Sequence, residues 1–265
     1  MLQKLIFSIS CLIFMSAQAA TSFSAVSQSD LETMSKEFSS NSAHPSVMGA
    51  ATLGKIFGFE LALVAGQNPS PNTDKIVKAS SSSDSLPNLY HGGILLAASI
   101  PLGLTGEFIY TPKVGANGVD FQGSSAALKY TLSQSLIVIP FNLAFRAFAS
   151  STKVNFTQTT PTVTGNVENK NTINGIQVLV SPSLPIVEPY LGVGYLQAKD
   201  NLNYSGTGNF FGNAVPLGTS SLDASLSTTQ VFAGINVHLL LLSLGLEYSK
   251  AFDADRYTAK LGLAF

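Results

Sequence analysis

Large apolar residues recur at every second position in about ten segments of this chain, and this alternation limits the fold more than any other feature. The last segment, RYTAKLGLAF (256–265), shows it clearly. Side chains of a strand point alternately to opposite faces, so each segment has one apolar face and one polar or small face. Only 11% of the residues are charged, which is low for the surface of a soluble domain. The pattern predicts an all-β, transmembrane, antiparallel up-and-down β-barrel. A soluble β-sandwich or barrel with its apolar face inside is the alternative.

The first 19 residues have the layout of a cleavable signal peptide. A positive charge at Lys4 precedes an apolar run over 5–15, and small residues at Ala17 and Ala19 follow. The run is too short for a membrane helix, although an uncleaved anchor or a buried helix is the alternative. Cys11 is the only cysteine, so cleavage after Ala19 would leave an exported chain without a disulfide.

Residues 20–46 are predicted to form a periplasmic leader that contains one short amphipathic helix. The stretch SDLETMSKEF (29–38) places Leu31, Met34 and Phe38 on one side. The helix would lie on the periplasmic side or in the mouth of the barrel, and a frayed leader without function is the alternative. The barrel itself is predicted to span 47–265.

The links between the apolar segments alternate in length, as in outer-membrane barrels with short periplasmic turns and long outer loops. Ten strands are predicted, with eight or twelve as alternatives, and both ends of the barrel domain should face the periplasm. The predicted strands are 54–66, 90–100, 102–111, 119–132, a segment from about 136–140 onward, 172–180, 187–199, and three around 231–237, 244–249 and 256–265. The predicted long links are 67–89, 112–118, 150–171 and 200–221.

The chain terminus resembles the signal by which the barrel-assembly machinery recognises outer-membrane proteins. That signal ends in Phe, with apolar residues two and four positions earlier and an aromatic further up; the matching residues here are Tyr257, Leu261, Leu263 and Phe265. The segment PYLGVGY (189–195) is similar to a strand of small OmpA-like barrels, and KIFGFELAL (55–63) resembles small uncharacterised barrels of Gram-negative bacteria. The resemblance implies a location in the bacterial outer membrane, contact with lipid or lipopolysaccharide, and delivery by the assembly machinery.

Few charges fall on the faces predicted to point into the barrel. Because buried charges are costly unless paired, we expect one cluster of Glu60, Lys260 and Glu247 and a second of Glu107, Lys129 and Arg146. The network would either plug the barrel structurally or line a narrow, gated path. Small barrels are filled by their own side chains, and ten strands lie close to that limit.

The remaining residues suggest no chemistry. The three histidines, His44, His91 and His238, have no recognisable Ser or acid partner in sequence, so neither an enzyme, a metal site nor a cofactor is predicted. A formal net charge of −1 argues against nucleic acid as a partner.

Tyr204, Phe210 and Phe211 are candidate contacts of an outer loop. The predicted function is a narrow pore or a binding protein for small, including hydrophobic, solutes. The alternative is a closed barrel that acts structurally or through its extracellular loops.

Overall fold

The computed structural model describes residues 28–265, except 55, 81–84, 117–118, 133–139, 161–162 and 211–212. The predicted signal peptide therefore lies outside the described residues. The described residues form two α-helices and ten strands, with a short 3₁₀ turn at Pro101–Gly103. The elements are α1 (Gln28–Ser42), β1 (Gly58–Pro69), α2 (Pro71–Ser80), β2 (Asn88–Ile100), β3 (Leu104–Ala116), β4 (Val119–Thr131), β5 (Phe141–Thr160), β6 (Val163–Pro182), β7 (Val187–Phe210), β8 (Asn213–Leu239), β9 (Leu242–Ala251) and β10 (Ala254–Ala264).

The ten strands form one closed antiparallel barrel, which confirms the predicted fold class and strand number. Each strand pairs with the next along the chain, and β1 closes the barrel against β10. At this seam the backbones of Phe59 and Phe265 exchange two hydrogen bonds of 2.9 and 2.8 Å. Closure leaves no unpaired strand edge, which is the condition for a sheet to lie in hydrocarbon.

The outer surface carries the apolar face of every strand. In β9, whose ten residues are about as many as a tilted strand needs to cross a bilayer, exposed and buried positions alternate strictly. Leu246 is 61% exposed, and its sequence neighbour Glu247 is 6% exposed and points inward. Tyrosines mark one border of this belt and phenylalanines the other, in the manner of membrane aromatic girdles. The exposed members are Tyr90, Tyr110, Tyr195, Tyr248 and Tyr257 on one side and Phe59, Phe141 and Phe265 on the other.

The two ends of the barrel differ. At one end, here called the turn end, short connections join β2 to β3, β6 to β7 and β8 to β9, and β10 finishes. At the other, the hairpin end, β5 and β6 form a hairpin of two 20-residue strands, and β7 and β8 extend over 24 and 27 residues.

The predicted irregular links at 150–171 and 200–221 are therefore wrong, because most of these residues continue the strands. Beyond the membrane belt neither face has to be apolar, so the alternation that reveals a strand disappears while the backbone ladder continues. The link at 67–89 contains α2, which the sequence analysis did not predict. None of the helices in the described part of the chain is long and apolar enough to cross a membrane.

The core of the molecule lies inside the barrel. Helix α1, longer than the predicted 29–38, contacts β1, β2, β5, β6, β7, β8 and β10. It lies at the hairpin end, where Lys36 pairs with Asp253 of the β9–β10 turn at 3.2 Å. The chain then runs down through the lumen and reaches β1 at the turn end. We call α1 together with residues 43–54 the plug.

Candidate functional site: the plugged lumen

The inward faces of the strands form a polar wall around the plug. Many inward positions are occupied by glycine, serine, threonine, asparagine or glutamine, and the charged residues lie among them. The buried polar wall residues include Thr105, Ser125, Thr131, Ser150, Thr152, Asn171, Gln177, Gln230, Asn236, Ser249 and Thr258. Apolar contacts between plug and wall are confined to a few patches, such as Val47 and Met48 against Val64 and Leu95. The plug therefore meets a surface that is able to hydrogen-bond.

Glu107 is the centre of the first polar cluster. It accepts from His44 Nε2 of the plug at 2.9 Å and lies 3.5 Å from Arg146 Nη1. The other ring nitrogen of His44, Nδ1, is hydrogen-bonded to Ser125 Oγ on β4. The sequence analysis treated His44 as a residue without partners. Its Ser and acid partners lie on β4 and β3, more than 60 positions along the chain, and only the barrel register brings them together.

The Ser125, His44 and Glu107 side chains form a chain of hydrogen bonds of the kind that activates a serine nucleophile. Ser125 is 6% exposed, and the cavity beside it has a volume of about 30 Å³, enough for one water molecule. A substrate has no room there while the plug is in place. In this arrangement the three groups anchor the plug to the wall.

Arg146 joins the plug to the next strand of the wall, β6. Its Nη1 donates to Ser46 Oγ at 2.6 Å, and its Nε donates to Gln177 Oε1 at 2.6 Å. Gln177 in turn donates to Gln230 at 2.6 Å. The guanidinium carbon also lies 5.7 Å from the ring centroid of Phe232.

Lys129 binds the plug backbone directly. Its ammonium donates to the carbonyls of Gly49 and Ala51 at 2.7 and 2.8 Å, and Thr131 donates to the carbonyl of Ala50 at 2.7 Å. The plug backbone just before these contacts is held away from its usual conformations, because Val47 has a φ of 50°. A β-branched residue adopts such a φ only where its surroundings impose it.

Arg256 is the residue that the sequence analysis missed. It is 1% exposed and donates to the carbonyls of Ala43 and Ser40 at 2.6 and 3.4 Å. The predicted last strand begins at Arg256, but the sequence analysis did not count this residue among the inward-facing charges; β10 begins at Ala254 and directs Arg256 inward. A second long cation on the inward parity of Lys260 and Thr258 was the available signal.

The predicted cluster of Glu60, Lys260 and Glu247 is divided by Arg256. Lys260 lies 2.8 Å from Glu60, but Glu247 lies 3.5 Å from Arg256 and accepts from the hydroxyl of Tyr190 at 2.9 Å. The expectation that Glu247 joins Glu60 and Lys260 was wrong, since Arg256 was not counted among the inward-facing cations. Glu107 and Arg146 are brought together as expected, whereas Lys129 is turned toward the plug.

At the hairpin end the plug holds α2 in place. The carboxylate of Glu37 accepts from the backbone nitrogens of Asn72 and Thr73 at 3.0 and 2.9 Å, which caps the N-terminus of α2. Asp74 accepts from Lys78 at 2.6 Å and from Ser85 at 2.7 Å. The hydrogen bonds from Lys78, Ser85 and the Leu86 backbone hold the pKa of Asp74 below its ordinary value.

The other two histidines differ in environment. His91 is 4% exposed, and its ring nitrogens are hydrogen-bonded to Asn41 at 2.9 Å and to Thr258 at 3.0 Å. His238 lines a cavity at the turn end. Among the described residues, no group of three or more potential ligands is placed to hold a metal ion.

The candidate assembly residues Tyr257, Leu261, Leu263 and Phe265 all lie on the outer face of β10, 46–64% exposed. The loop candidates fare differently. Phe211 lies outside the described residues. The structure describes the backbone of Tyr204 and Phe210 but not their side chains.

The chain belongs to DUF6588, a family of unknown function whose model matches residues 2–265. Among curated proteins, none matches this chain in sequence.

Among solved structures, the translocator domain of autotransporter NalP from Neisseria meningitidis is 9% identical, with a TM-score of 0.44 over 80% of this chain and 89% of that one. The Pseudomonas putida toluene transporter TodX is 9% identical, with a TM-score of 0.37 over 92% and 78%. Ail, the attachment invasion locus protein of Yersinia pestis, is 12% identical, with a TM-score of 0.30 over 79% and 98%. Similarities this distant carry no functional argument, and the fold rests on the strand pairing described above.

Proposed function

We propose that this member of the DUF6588 family is an outer-membrane barrel that provides a narrow, gated path for small solutes, and that the structure is its closed state. The short turns would face the periplasm and the long hairpins the outside, as in known barrels of this class. The apolar terminus of β10 would be read by the barrel-assembly machinery, and the outer belt would contact lipid and lipopolysaccharide.

One observation carries the proposal: each buried Arg–Glu or Lys–Glu ion pair among the described residues joins two wall residues, and the ion pair of the plug itself, between Lys36 and Asp253, is exposed. Arg146 lies against Glu107, Arg256 against Glu247 and Lys260 against Glu60. Residues 43–54 of the plug, AHPSVMGAATLG, contain no Asp, Glu, Lys or Arg. The wall cations hold the plug through neutral carbonyls and a hydroxyl, which water can replace.

Release of the plug would therefore leave most wall charges with their partners. Each plug-to-wall hydrogen bond exchanged for one to water costs about 0.5–1.5 kcal/mol. A plug tied to the wall by ion pairs would instead leave unpaired charges behind, at about 3–5 kcal/mol for each buried pair broken. The emptied lumen would have a polar lining that water can fill. That lining favours hydrophilic solutes over the hydrophobic solutes that the sequence analysis included.

A disulfide between plug and wall tests the proposal. Ser42 Oγ on the plug lies 2.9 Å from Thr152 Oγ1 on β5, so cysteines at both positions should bridge. In a planar bilayer we expect discrete openings from the parent protein, no openings from the oxidised S42C/T152C variant, and openings again after reduction. Arg146→Ala should enlarge or prolong the openings, because it removes a contact to the plug and puts a smaller side chain into the lumen. A folded parent protein that never opens, or an oxidised variant that conducts like the parent, would contradict the gated path.

A closed barrel that acts through its outer hairpins is the second candidate. The observation that favours it is the length of β7 and β8, which extend as a paired ribbon well beyond the belt. Deletion of residues 202–218 should then leave barrel assembly intact and abolish binding to cells or surface ligands. Unchanged binding by the deletion variant would count against this candidate.

A further inference from the structure

We propose that the cavity between the plug and the turn end of the barrel is a binding site for a small zwitterion with a short apolar side chain, such as an α-amino acid. The cavity has a volume of about 330 Å³, near the lower limit for small-molecule sites. Plug residues 48–53 bound it on one side and the inward faces of the strands on the other. The site exists with the plug in place, so the inference does not depend on the gated path.

Two of the four charged residues around this cavity are already engaged by protein groups. Lys129 donates to the plug carbonyls described above. Glu188 accepts from the Ala51 backbone nitrogen at 2.9 Å and from Ser181 Oγ at 2.7 Å. These two residues fix the plug wall of the cavity, which takes up part of their capacity to bind a ligand.

Glu60 and Lys260 are the other two charged residues, and both can hydrogen-bond a ligand in this cavity. They form an ion pair of 2.8 Å, and their side chains are 0% and 1% exposed. Apart from this ion pair, neither carboxylate oxygen of Glu60 has a hydrogen-bond partner among the described residues. A buried carboxylate with unfilled acceptor positions is costly, because it has lost more hydrogen bonds to water than it has gained from protein donors.

A zwitterion would supply both missing groups. Its ammonium would donate to Glu60 Oε2, and its carboxylate would accept from Lys260 Nζ, so that two buried charges become four alternating ones. A lone cation or anion would satisfy one residue and leave the cavity with a net charge. Leu53 and Leu184 also line the cavity and would contact an aliphatic side chain.

The experiment uses a tryptophan reporter, because the chain has no Trp of its own. In the refolded mature protein, Leu184→Trp places the reporter at the cavity, and Leu102→Trp, in another turn at the same end, is the matched control. The probes are leucine, 4-methylpentanoate, which lacks the ammonium, and isopentylamine, which lacks the carboxylate. We expect a saturable fluorescence change with leucine in L184W alone, and at least about tenfold weaker binding of both analogues, a ratio worth about 1.4 kcal/mol.

Variants of the ion pair complete the test. Glu60→Gln and Lys260→Met in the L184W background should each weaken leucine binding about tenfold or more. Glu32→Gln, at an exposed position of α1, should leave it unchanged. Since a buried substitution can prevent folding, saturation-transfer NMR of leucine with the unmodified protein provides an independent readout. Absence of binding by both methods, or equal binding of all three probes, would overturn the inference.

The outcome is separable from that of the gated path. The oxidised S42C/T152C variant cannot release its plug, yet it should bind leucine as the parent protein does. Leucine binding by a protein that never conducts would leave the zwitterion site standing and remove the proposed gate. Conductance without leucine binding would do the reverse.

Discussion

The two faces of the barrel wall are built from the same ten strands and obey different rules. Outside, each side chain meets lipid independently, and an apolar residue of almost any shape is acceptable. Inside, Glu107, Arg146 and Arg256 each need particular partners on other strands or on the plug. The outer face is therefore specified by composition and the lumen by geometry, and the two should respond differently to substitution.

The largest effect is expected in the lumen, at Arg256. Arg256→Met leaves Glu247 buried without its cation and two plug carbonyls without their donor, so we expect a loss of about 3–5 kcal/mol in the free energy of unfolding. Urea titration in detergent, followed by heat-modifiable gel mobility, measures it. The double variant R256M/E247Q removes both charges and should recover a large part of the loss. A single variant as stable as the parent would show that the lumen tolerates replacement as the outer face does.

The outer face should respond to charge and not to shape. Leu63 is 41% exposed and is paired with Leu261 near the middle of the belt. Leu63→Lys should lower the free energy of unfolding by about 2–4 kcal/mol. Leu63→Ile should change stability little. Ser221→Lys, on the β7–β8 hairpin beyond the belt, is the matched control and should be close to neutral in the same titration. Equal costs at the two Lys positions would contradict the placement of the membrane.

Phe265 tests whether the outer face also carries information for assembly. Its backbone closes the barrel and its side chain is 64% exposed, so Phe265→Ser should leave the folded barrel almost as stable as the parent in detergent. If the terminus is an assembly signal, the same variant should reach the outer membrane of cells several-fold less efficiently. Leu239→Ser, another exposed apolar position near the turn end, controls for lost apolar surface. Equal delivery of the two variants would exclude the signal.

The smallest effect is expected at the hairpin end, where the plug meets α2. The pKa of Asp74 is below its ordinary value of 3.8, so its contribution to stability is present above that pH and is lost as the pH falls through the lowered pKa. Hydrogen exchange of α2 should therefore be constant from neutral pH to about pH 5 and accelerate below about pH 4, after correction for the intrinsic rate. Asp74→Asn should show the faster exchange at every pH. Identical profiles for the two proteins would show that Asp74 does not hold α2.

The sequence predicted those parts of the molecule in which the type of each residue depends only on whether it faces lipid or the lumen. Alternation in segments such as LGVGYL and LGLAF was sufficient for the strand number and for the inward parity of Glu60, Glu107 and Lys129. The continuation of the strands into long hairpins was not predicted, because outside the membrane no face has to be apolar. The partners of His44 escaped for another reason: Ser125 and Glu107 lie on different strands, and nothing in the leader shows that it threads through the barrel.

Arg256 is the most instructive of these omissions. The sequence analysis did not count it among the inward-facing charges, although the predicted last strand begins at this residue. One position of register decides whether such a residue faces water or the lumen. A barrel model built from alternation alone therefore places single charges at strand ends least well, and here one such charge holds the plug.

The central claim is that the chain's own N-terminal segment occupies the lumen, and disulfide formation tests it most directly. The S42C/T152C variant should form its bridge in nearly every folded molecule isolated from membranes, as judged by a gel shift that reduction reverses. The control pair S42C/S151C differs by one position on β5, where the side chain points away from the lumen, and should remain reduced. Efficient bridging of the first pair only is the result that the structure predicts. Failure of the first pair to bridge in a folded barrel, or equal bridging of both pairs, would contradict the plugged lumen.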